Sequence, residues 1–238
     1  MEHNFEQHQQ EPRVLVAQIS GKERAVFYKK TYQHVALAVL SFILVEMIFL
    51  KIPALVDFML SMTQGYLWLL LLGAFWLAST MADKLAHDTN QTKQYAGLAL
   101  YIVFYGLLFI PLLYMAMYVV DGGLMLINQA AVVTLGLFTG LTAVVFMTKA
   151  DFSFLRTAIT VGTFIAMGLI VAGILFGFDL GLWFSFGMVL LAGAAILYQT
   201  YQLKNEYEPS QYVGASLGLF ASLMLLFWYV LQIFMSRD

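Results

Sequence analysis

One carboxylate, Glu46, lies within a long apolar stretch, in the segment 32–50. A charge is costly to place inside a bilayer, so an acidic side chain in a membrane span usually faces the bundle interior or a water-filled cavity. There it can bind a proton or a cation. Glu46 is also close to Lys51 and to the end of the segment, from where it could reach the polar interface. The sequence leaves both interpretations open, an ion or proton site and an interfacial side chain.

A second group of polar residues lies in the last two apolar stretches. The final stretch, 212–235, carries no formal charge, and its polar strip contains Ser216 and Ser222 beside glycine and alanine residues. Gln199 closes the preceding stretch, so a helical hairpin places its amide opposite that strip. Small and hydroxyl residues let helices approach closely. We therefore expect the last helix to contact several neighbours rather than only lipid.

The residue types that enzymes use are not arranged for catalysis in this chain. The sequence contains no Walker loop, HExxH, GxSxG or dinucleotide fingerprint. It has no cysteine, which excludes disulfides, zinc–thiolate sites and thiol catalysis. Its histidines lie in the predicted tail, in a loop or at the start of an apolar stretch: His3, His8, His87 and His34. We predict a protein that is not an enzyme and needs neither metal nor cofactor.

Composition predicts a membrane protein. Of the 238 residues, 61% are hydrophobic and 11% are charged, and the mean hydropathy is +0.81. Soluble domains carry about 25% charged residues, and the net charge of -2 without a basic stripe argues against nucleic-acid binding. Seven segments are apolar enough to span a bilayer as helices, at about 32–50, 66–81, 95–119, 124–147, 155–176, 180–201 and 212–235. The predicted fold is an all-α, seven-transmembrane-helix bundle over residues 31–238 after a polar tail, residues 1–30.

The distribution of basic residues predicts the orientation. With seven spans, ten of the twelve lysines and arginines fall on the side of the amino terminus: Arg13, Lys22, Arg24, Lys29, Lys30, Lys84, Lys93, Lys149, Arg156 and Lys204. The opposite side receives Lys51 and Arg237. Because cytoplasmic loops are enriched in basic residues, we expect the amino terminus in the cytoplasm and the carboxyl terminus outside.

Between the fourth and fifth segments the chain reads FMTKADFSFL, residues 146–155. Four shorter features accompany it: Lys30-Thr31-Tyr32, Phe109-Ile110-Pro111, Ala195-Ile196-Leu197-Tyr198 and the terminal Ser236-Arg237-Asp238. In this order and spacing, the chain resembles the Bax inhibitor-1 family, in particular its bacterial YccA branch, over about residues 28–238.

The resemblance implies a seven-helix fold in which the last helix is central. It also implies a pair of facing acidic residues that share a proton and gate a pH-sensitive calcium leak. Two carboxyl groups at short distance cannot both ionise, so the pKa of one of them rises toward neutral pH. Here the corresponding positions hold Gln199 and Ser222, neither of which titrates. An amide and a hydroxyl can still hydrogen-bond and lock the hairpin.

The resemblance implies two alternative functions. The YccA branch is associated with the FtsH membrane protease as substrate and modulator, a role that needs a stable bundle and a cytoplasmic handle, here the tail from Met1 to about Gly21. The alternative is a proton- or calcium-permeable leak that uses Glu46 in place of the missing acidic pair. Both imply a bacterial inner-membrane protein surrounded by lipid.

Overall fold

The structure is a computed structural model that describes residues 14–236. Within this range the chain forms α-helices and one short 3₁₀ turn, Val16–Gln18. The helices are α1 (Gly21–Phe49), α2 (Pro53–Ser61), α3 (Leu67–Ala86), α4 (Gln91–Tyr118), α5 (Leu124–Met147), α6 (Leu155–Phe176), α7 (Gly181–Asn205) and α8 (Tyr212–Met235). All except α2 are long and apolar enough to cross a membrane. The predicted fold class, a seven-helix membrane bundle, is confirmed.

The first helix begins earlier than the predicted tail allows. Its start is set by Ser20, whose side chain accepts the Glu23 N–H at 3.3 Å, while the Glu23 carboxylate accepts the Ser20 N–H at 3.0 Å. This reciprocal capping box satisfies two backbone donors at the helix start. Residues 21–30, assigned to the tail from the sequence, therefore belong to α1. Residues 1–13 of the predicted tail lie outside the described residues.

The second span is longer than its hydropathy indicated. The apolar segment ends at about residue 81, but α3 continues to Ala86 and includes Asp83 and Lys84 in its last turn. The connector between the first two spans forms the short helix α2, which starts with Pro53 at a position where proline is favoured. Polar residues extend a membrane helix when its end projects beyond the hydrocarbon, so hydropathy alone places the boundary too early.

The last helix is central, as predicted. α8 packs against α1, α3, α4, α5 and α7, and most of its side chains are buried. α4 is buried to the same extent as α8, so these two helices share the interior of the bundle. By contrast, α6 packs mainly on α7, and Ala166 is its one buried residue.

Aromatic rings fill the interior where α1, α4 and α8 meet. The Phe42 ring centroid lies 5.1 Å from that of Phe109 and 6.4 Å from that of Phe220, and Tyr105 lies 5.8 Å from Phe220. Phe109 and Phe220 are completely buried. Edge-to-face pairs of this kind add to the energy of burial. The cluster is a rigid centre against which the candidate functional residues are positioned.

Candidate functional site

The positions of the expected acidic pair lie in the seam between α7 and α8. Gln199 packs directly against Gly218, where a Cβ atom would lie only 2.6 Å from the amide Oε1. A larger residue at this position would force the end of the Gln199 side chain to move. Ser222 lies one turn further along α8, and its hydroxyl donates to the Gly218 carbonyl oxygen at 3.1 Å. Both side chains adjoin the same glycine.

Gln199 and Ser222 do not hydrogen-bond each other, in contrast to the expectation from the sequence. The Ser222 hydroxyl is used within its own helix, and the buried Oε1 of Gln199 accepts no hydrogen bond from the described residues. At this point of the seam the amide packs on a glycine, while a side-chain hydrogen bond between the two helices lies elsewhere, from the Ser185 hydroxyl to the Gln232 Oε1 at 3.3 Å. Because neither side chain titrates, this seam cannot hold a shared proton.

Glu46 faces the interior of the bundle and not the polar interface. Its residue is 4% exposed, and it continues the buried stripe of α1 that contains Val35, Ala38 and Phe42. Within the described part of the chain, neither carboxylate oxygen has a hydrogen-bond partner. The side chain is therefore enclosed by the protein, and its role as an ion or proton site stays a prediction. The structure contains an unpaired acidic group among apolar side chains.

A tight contact between α1 and α4 explains how Glu46 is enclosed. Gly106 of α4 lies so close to Val45 that a Cβ atom would be 2.7 Å from the valine Cγ1, and 3.3 Å from the Phe49 ring. These two residues flank Glu46 on α1. The two helices are therefore in direct contact beside Glu46, in agreement with its low exposure.

Three buried hydroxyls that the sequence did not single out meet between α1, α5 and α7. The Tyr32 hydroxyl lies near those of Thr142 and Thr200. None of these three oxygens makes a hydrogen bond that satisfies normal geometry with a described residue. The residues are far apart in the chain, and each lies in an ordinary apolar segment, so no sequence signal marks them.

The start of α8 is surrounded by polar and aromatic groups from α1 and α4. His34, expected at the interface, shares a 2.9 Å hydrogen bond between its Nε2 and the Tyr95 hydroxyl, and its ring lies 5.1 Å from the Tyr212 ring. Gln91 donates to the Tyr212 hydroxyl. These contacts fix the first residue of the central helix. We call this end of the bundle, where Lys22, Lys84, Lys93, Lys149 and Lys204 also lie, the basic end.

His87 contacts the same end of α8 from just beyond α3. Its Nδ1 lies 3.3 Å from the Asp83 carboxylate, and its ring stacks on Tyr207 with centroids 6.0 Å apart. A Cβ on Gly214 would be 2.9 Å from the imidazole, so α8 approaches the ring closely. The hydrogen bond to Asp83 raises the pKa of His87 above its usual value of 6.5, although burial opposes this shift.

This raised pKa predicts a pH-dependent stability. A group whose pKa is higher in the folded state stabilises the fold fully below its unfolded pKa, and the effect is lost as pH rises through the folded pKa. We expect the free energy of unfolding to fall from pH 5.5 to pH 8.5 by about 0.5 kcal/mol, a small amount because Asp83 is solvent-exposed, and the thermal unfolding temperature to fall with it. His87→Gln and Asp83→Asn should each flatten the slope. An unchanged slope in both variants would contradict the assignment.

The segment before α1 is anchored on the bundle. The Val16 N–H donates to the Tyr207 carbonyl oxygen at 2.8 Å, and the Val16 side chain is completely buried. The predicted handle, residues 1–21, is therefore divided. Residues 14–21 pack on the connection between α7 and α8 and on α1, while residues 1–13 lie outside the described part of the chain.

Comparisons with known proteins agree with the architecture. A family model described as "Inhibitor of apoptosis-promoting Bax1" matches residues 24–238. An uncharacterized protein of Pseudomonas aeruginosa is 38% identical over 125 residues, which cover 52% of this chain and 55% of the relative. An uncharacterized protein of Neisseria meningitidis serogroup A is 32% identical over 146 residues, 60% of this chain and 63% of the relative.

A eukaryotic relative has a functional name. Bax inhibitor 1 of Schizosaccharomyces pombe is 33% identical over 114 residues, which cover 45% of this chain and 41% of that protein. The matched region thus spans about half the length of these relatives. Within residues 14–236, we find no group of three or more histidine, aspartate or glutamate side chains that could hold a metal ion.

Proposed function

This chain belongs to the Bax inhibitor-1 family, and on that basis we propose that it modulates the FtsH protease of the bacterial inner membrane and is itself a substrate of that protease. Relatives in Pseudomonas and Neisseria support a bacterial setting. The proposal follows the YccA-like branch that the sequence resembles. It assigns this multi-pass protein a role in the quality control of membrane proteins, without catalytic residues of its own.

The observation that carries this proposal is the replacement of the acidic pair. A gate that responds to pH needs a group that gains and loses a proton, whereas the α7–α8 seam holds Gln199 packed on Gly218 and a serine bonded within its own helix. A protease modulator needs no titrating pair. It needs a bundle that resists unfolding and a polar end that the protease can engage, and the tightly packed seam supports the first of these.

The handle in this proposal is the segment 1–13. It contains three glutamates, three glutamines and no long apolar run. The anchor at Val16 and the capping box at Ser20 begin directly after it, so a protease that pulls on the handle meets resistance at a defined point. The excess of basic residues at this end supports a cytoplasmic position for the handle and an external carboxyl terminus.

The test is the decay of a known FtsH membrane substrate in bacterial cells that overproduce this protein. We expect the full chain to slow decay severalfold and a variant that lacks residues 2–13 to have no effect. This deletion keeps Val16 and Ser20, so the bundle retains its anchor and its cap. A matched control replaces residues 2–13 by glycine and serine, which preserves length without the native side chains.

The outcome distinguishes two roles for the segment. If the glycine–serine variant also slows decay, a handle of this length is sufficient for modulation whatever its sequence. If this variant does not slow decay, the protease recognises the native side chains. Equal decay with the full chain and with the deleted chain would overturn the proposed handle. If neither alters decay in comparison with cells that lack the protein, the modulator function itself is wrong.

A second candidate function is a proton- or calcium-permeable leak. It is favoured by one observation, the buried and unpaired carboxylate of Glu46. An acidic group inside a membrane bundle is a common feature of ion and proton pathways. In this alternative Glu46 takes the place of the acidic pair.

A further inference from the structure

A pocket of about 330 Å³ lies at the basic end, between the first turns of α1 and the loop before α8. Its wall contains two basic residues, Lys22 and Lys30, and four apolar residues, Ile19, Val26, Phe27 and Pro209. Val26 is 54% exposed, which leaves an apolar surface open beside two positive charges. The presence of basic residues beside exposed apolar residues is not explained by the capping of α1 or by the packing of α8.

The two lysines are positioned but not neutralised. The Lys30 Nζ lies 5.1 Å from the centroid of the Tyr212 ring, a cation–π contact that orients the ammonium group and keeps its charge. Among the described residues, the side-chain ion pairs join His87 to Asp83 and Lys93 to Asp88, so neither pocket lysine belongs to one. Within the described part of the chain, the pocket therefore presents two lysines outside these ion pairs, together with the carboxylate of Glu23.

One carboxylate, Glu23, also lines the pocket. It accepts the Ser20 N–H at 3.0 Å and is thereby directed to the start of α1. The segment 21–30 contains four basic residues and this single acidic one, a net charge of +3 (four minus one). This part of α1 is therefore positively charged, which favours an anionic ligand over a cationic or neutral one.

The pocket lies beside the amino-terminal end of the apolar part of α1. Lys22, Val26 and Lys30 are separated by four residues each, so they lie on one face of α1. The same face continues into the membrane span at Leu37 and Leu44, which are 57% and 60% exposed and face lipid. The ammonium groups therefore lie just beyond the lipid-facing apolar surface, where lysine side chains meet phosphate groups.

We propose that this pocket binds the headgroup of an anionic phospholipid from the leaflet at the basic end. Lys22 and Lys30, eight residues apart on one face of α1, contact the phosphate, and Val26, Phe27 and Pro209 pack against the glycerol and the first methylene groups of the acyl chains. Basic pockets on one side of a membrane bundle have the chemistry that such headgroups require. The site is independent of the proposed interaction with a protease.

The test compares lipid binding to the purified full-length protein in a neutral detergent. Phosphatidylglycerol or phosphatidylcholine is added in increasing amounts, and the lipid retained on the protein is measured by native mass spectrometry. We expect phosphatidylglycerol to bind roughly tenfold more tightly than phosphatidylcholine, because two lysines contribute to the attraction. The double variant Lys22→Gln/Lys30→Gln should lose this preference.

A matched control removes the same charge elsewhere at the basic end. Lys84 and Lys149 are exposed and lie outside the pocket, so Lys84→Gln/Lys149→Gln should keep the preference. The variant Lys22→Arg/Lys30→Arg should keep it as well, which separates loss of charge from damage to the fold. Equal loss in the two glutamine variants, or no preference in the native protein, would overturn the proposed site.

Discussion

The Gly97→Ala variant should unfold at a markedly lower temperature than the native protein. A Cβ atom at this position would lie 2.6 Å from the Ala82 carbonyl oxygen, 2.7 Å from the Ala86 nitrogen and 2.9 Å from the Leu85 Cβ. The first two are backbone atoms of α3 and cannot rotate away, so α3 and α4 must separate. Overpacking of this kind costs about 1–3 kcal/mol. The measurement is thermal unfolding in detergent, followed by loss of helical circular dichroism.

The matched control is Gly136→Ala in α5. Nothing lies within 4 Å of a Cβ atom built at Gly136, so the same added methyl group meets no neighbour. Alanine is the better helix former by about 1 kcal/mol, and this variant should be unchanged or slightly more stable. If Gly97→Ala were as stable as Gly136→Ala, the close contact between α3 and α4 would be contradicted.

The substitution at Gly97 should also affect α8, the central helix, because α3 contacts both α4 and α8. Ala86 is enclosed between Gly97 of α4 and Gly214 of α8, where a Cβ atom would lie 2.9 Å from the Ala86 carbonyl oxygen. Asp83 and His87 lie on the same end of α3. A displacement of α3 should therefore also separate His87 from α8, and the pH dependence of stability expected from His87 should weaken in Gly97→Ala.

Glu46→Leu should raise the stability of the bundle. The native carboxyl group is buried without a hydrogen-bond partner among the described residues, and burial of an unsatisfied polar group costs about 1–3 kcal/mol. Leucine has a similar volume and no polar atom, so we expect a gain of about 2 kcal/mol. The measurement is again thermal unfolding, with Glu46→Gln as the polar control, which should gain less. A loss of stability in Glu46→Leu would contradict an unpaired carboxyl group.

The same position tests the leak function. If the native protein in liposomes carries calcium or protons, Glu46→Gln should abolish the flux, because the amide keeps the size of the side chain but cannot bind a proton or a cation in the same way. Gln199→Ala is the matched control in the α7–α8 seam and should leave the flux unchanged. Flux that persists in Glu46→Gln, or flux that is lost in Gln199→Ala alone, would exclude the leak based on Glu46. If Glu46→Leu raises stability and Glu46→Gln abolishes flux, the carboxyl group of Glu46 lowers the stability of the bundle but is needed for function.

The number of membrane-spanning helices, and the family, were predictable from the sequence, whereas the short helix α2 was not. Lipid penalises every unsatisfied backbone group and nearly every charge, so long apolar segments must be helices, and their count follows from hydropathy. Glu46 was also identified because a single acidic residue in such a segment is conspicuous. The small residues around Ser216 and Gly218 predicted that α8 would be enclosed by its neighbours, and the structure agrees.

Only the tertiary structure decided which side chains meet. Hydrophobicity does not distinguish lipid from a neighbouring helix, so contacts within a membrane depend on shape and on small residues at particular positions. The burial of Glu46, the meeting of Tyr32, Thr142 and Thr200, and the backbone contact at Gly97 depend on the rotation of each helix about its axis. That rotation is set by packing across four or five helices at once, and a pattern within one segment does not contain it.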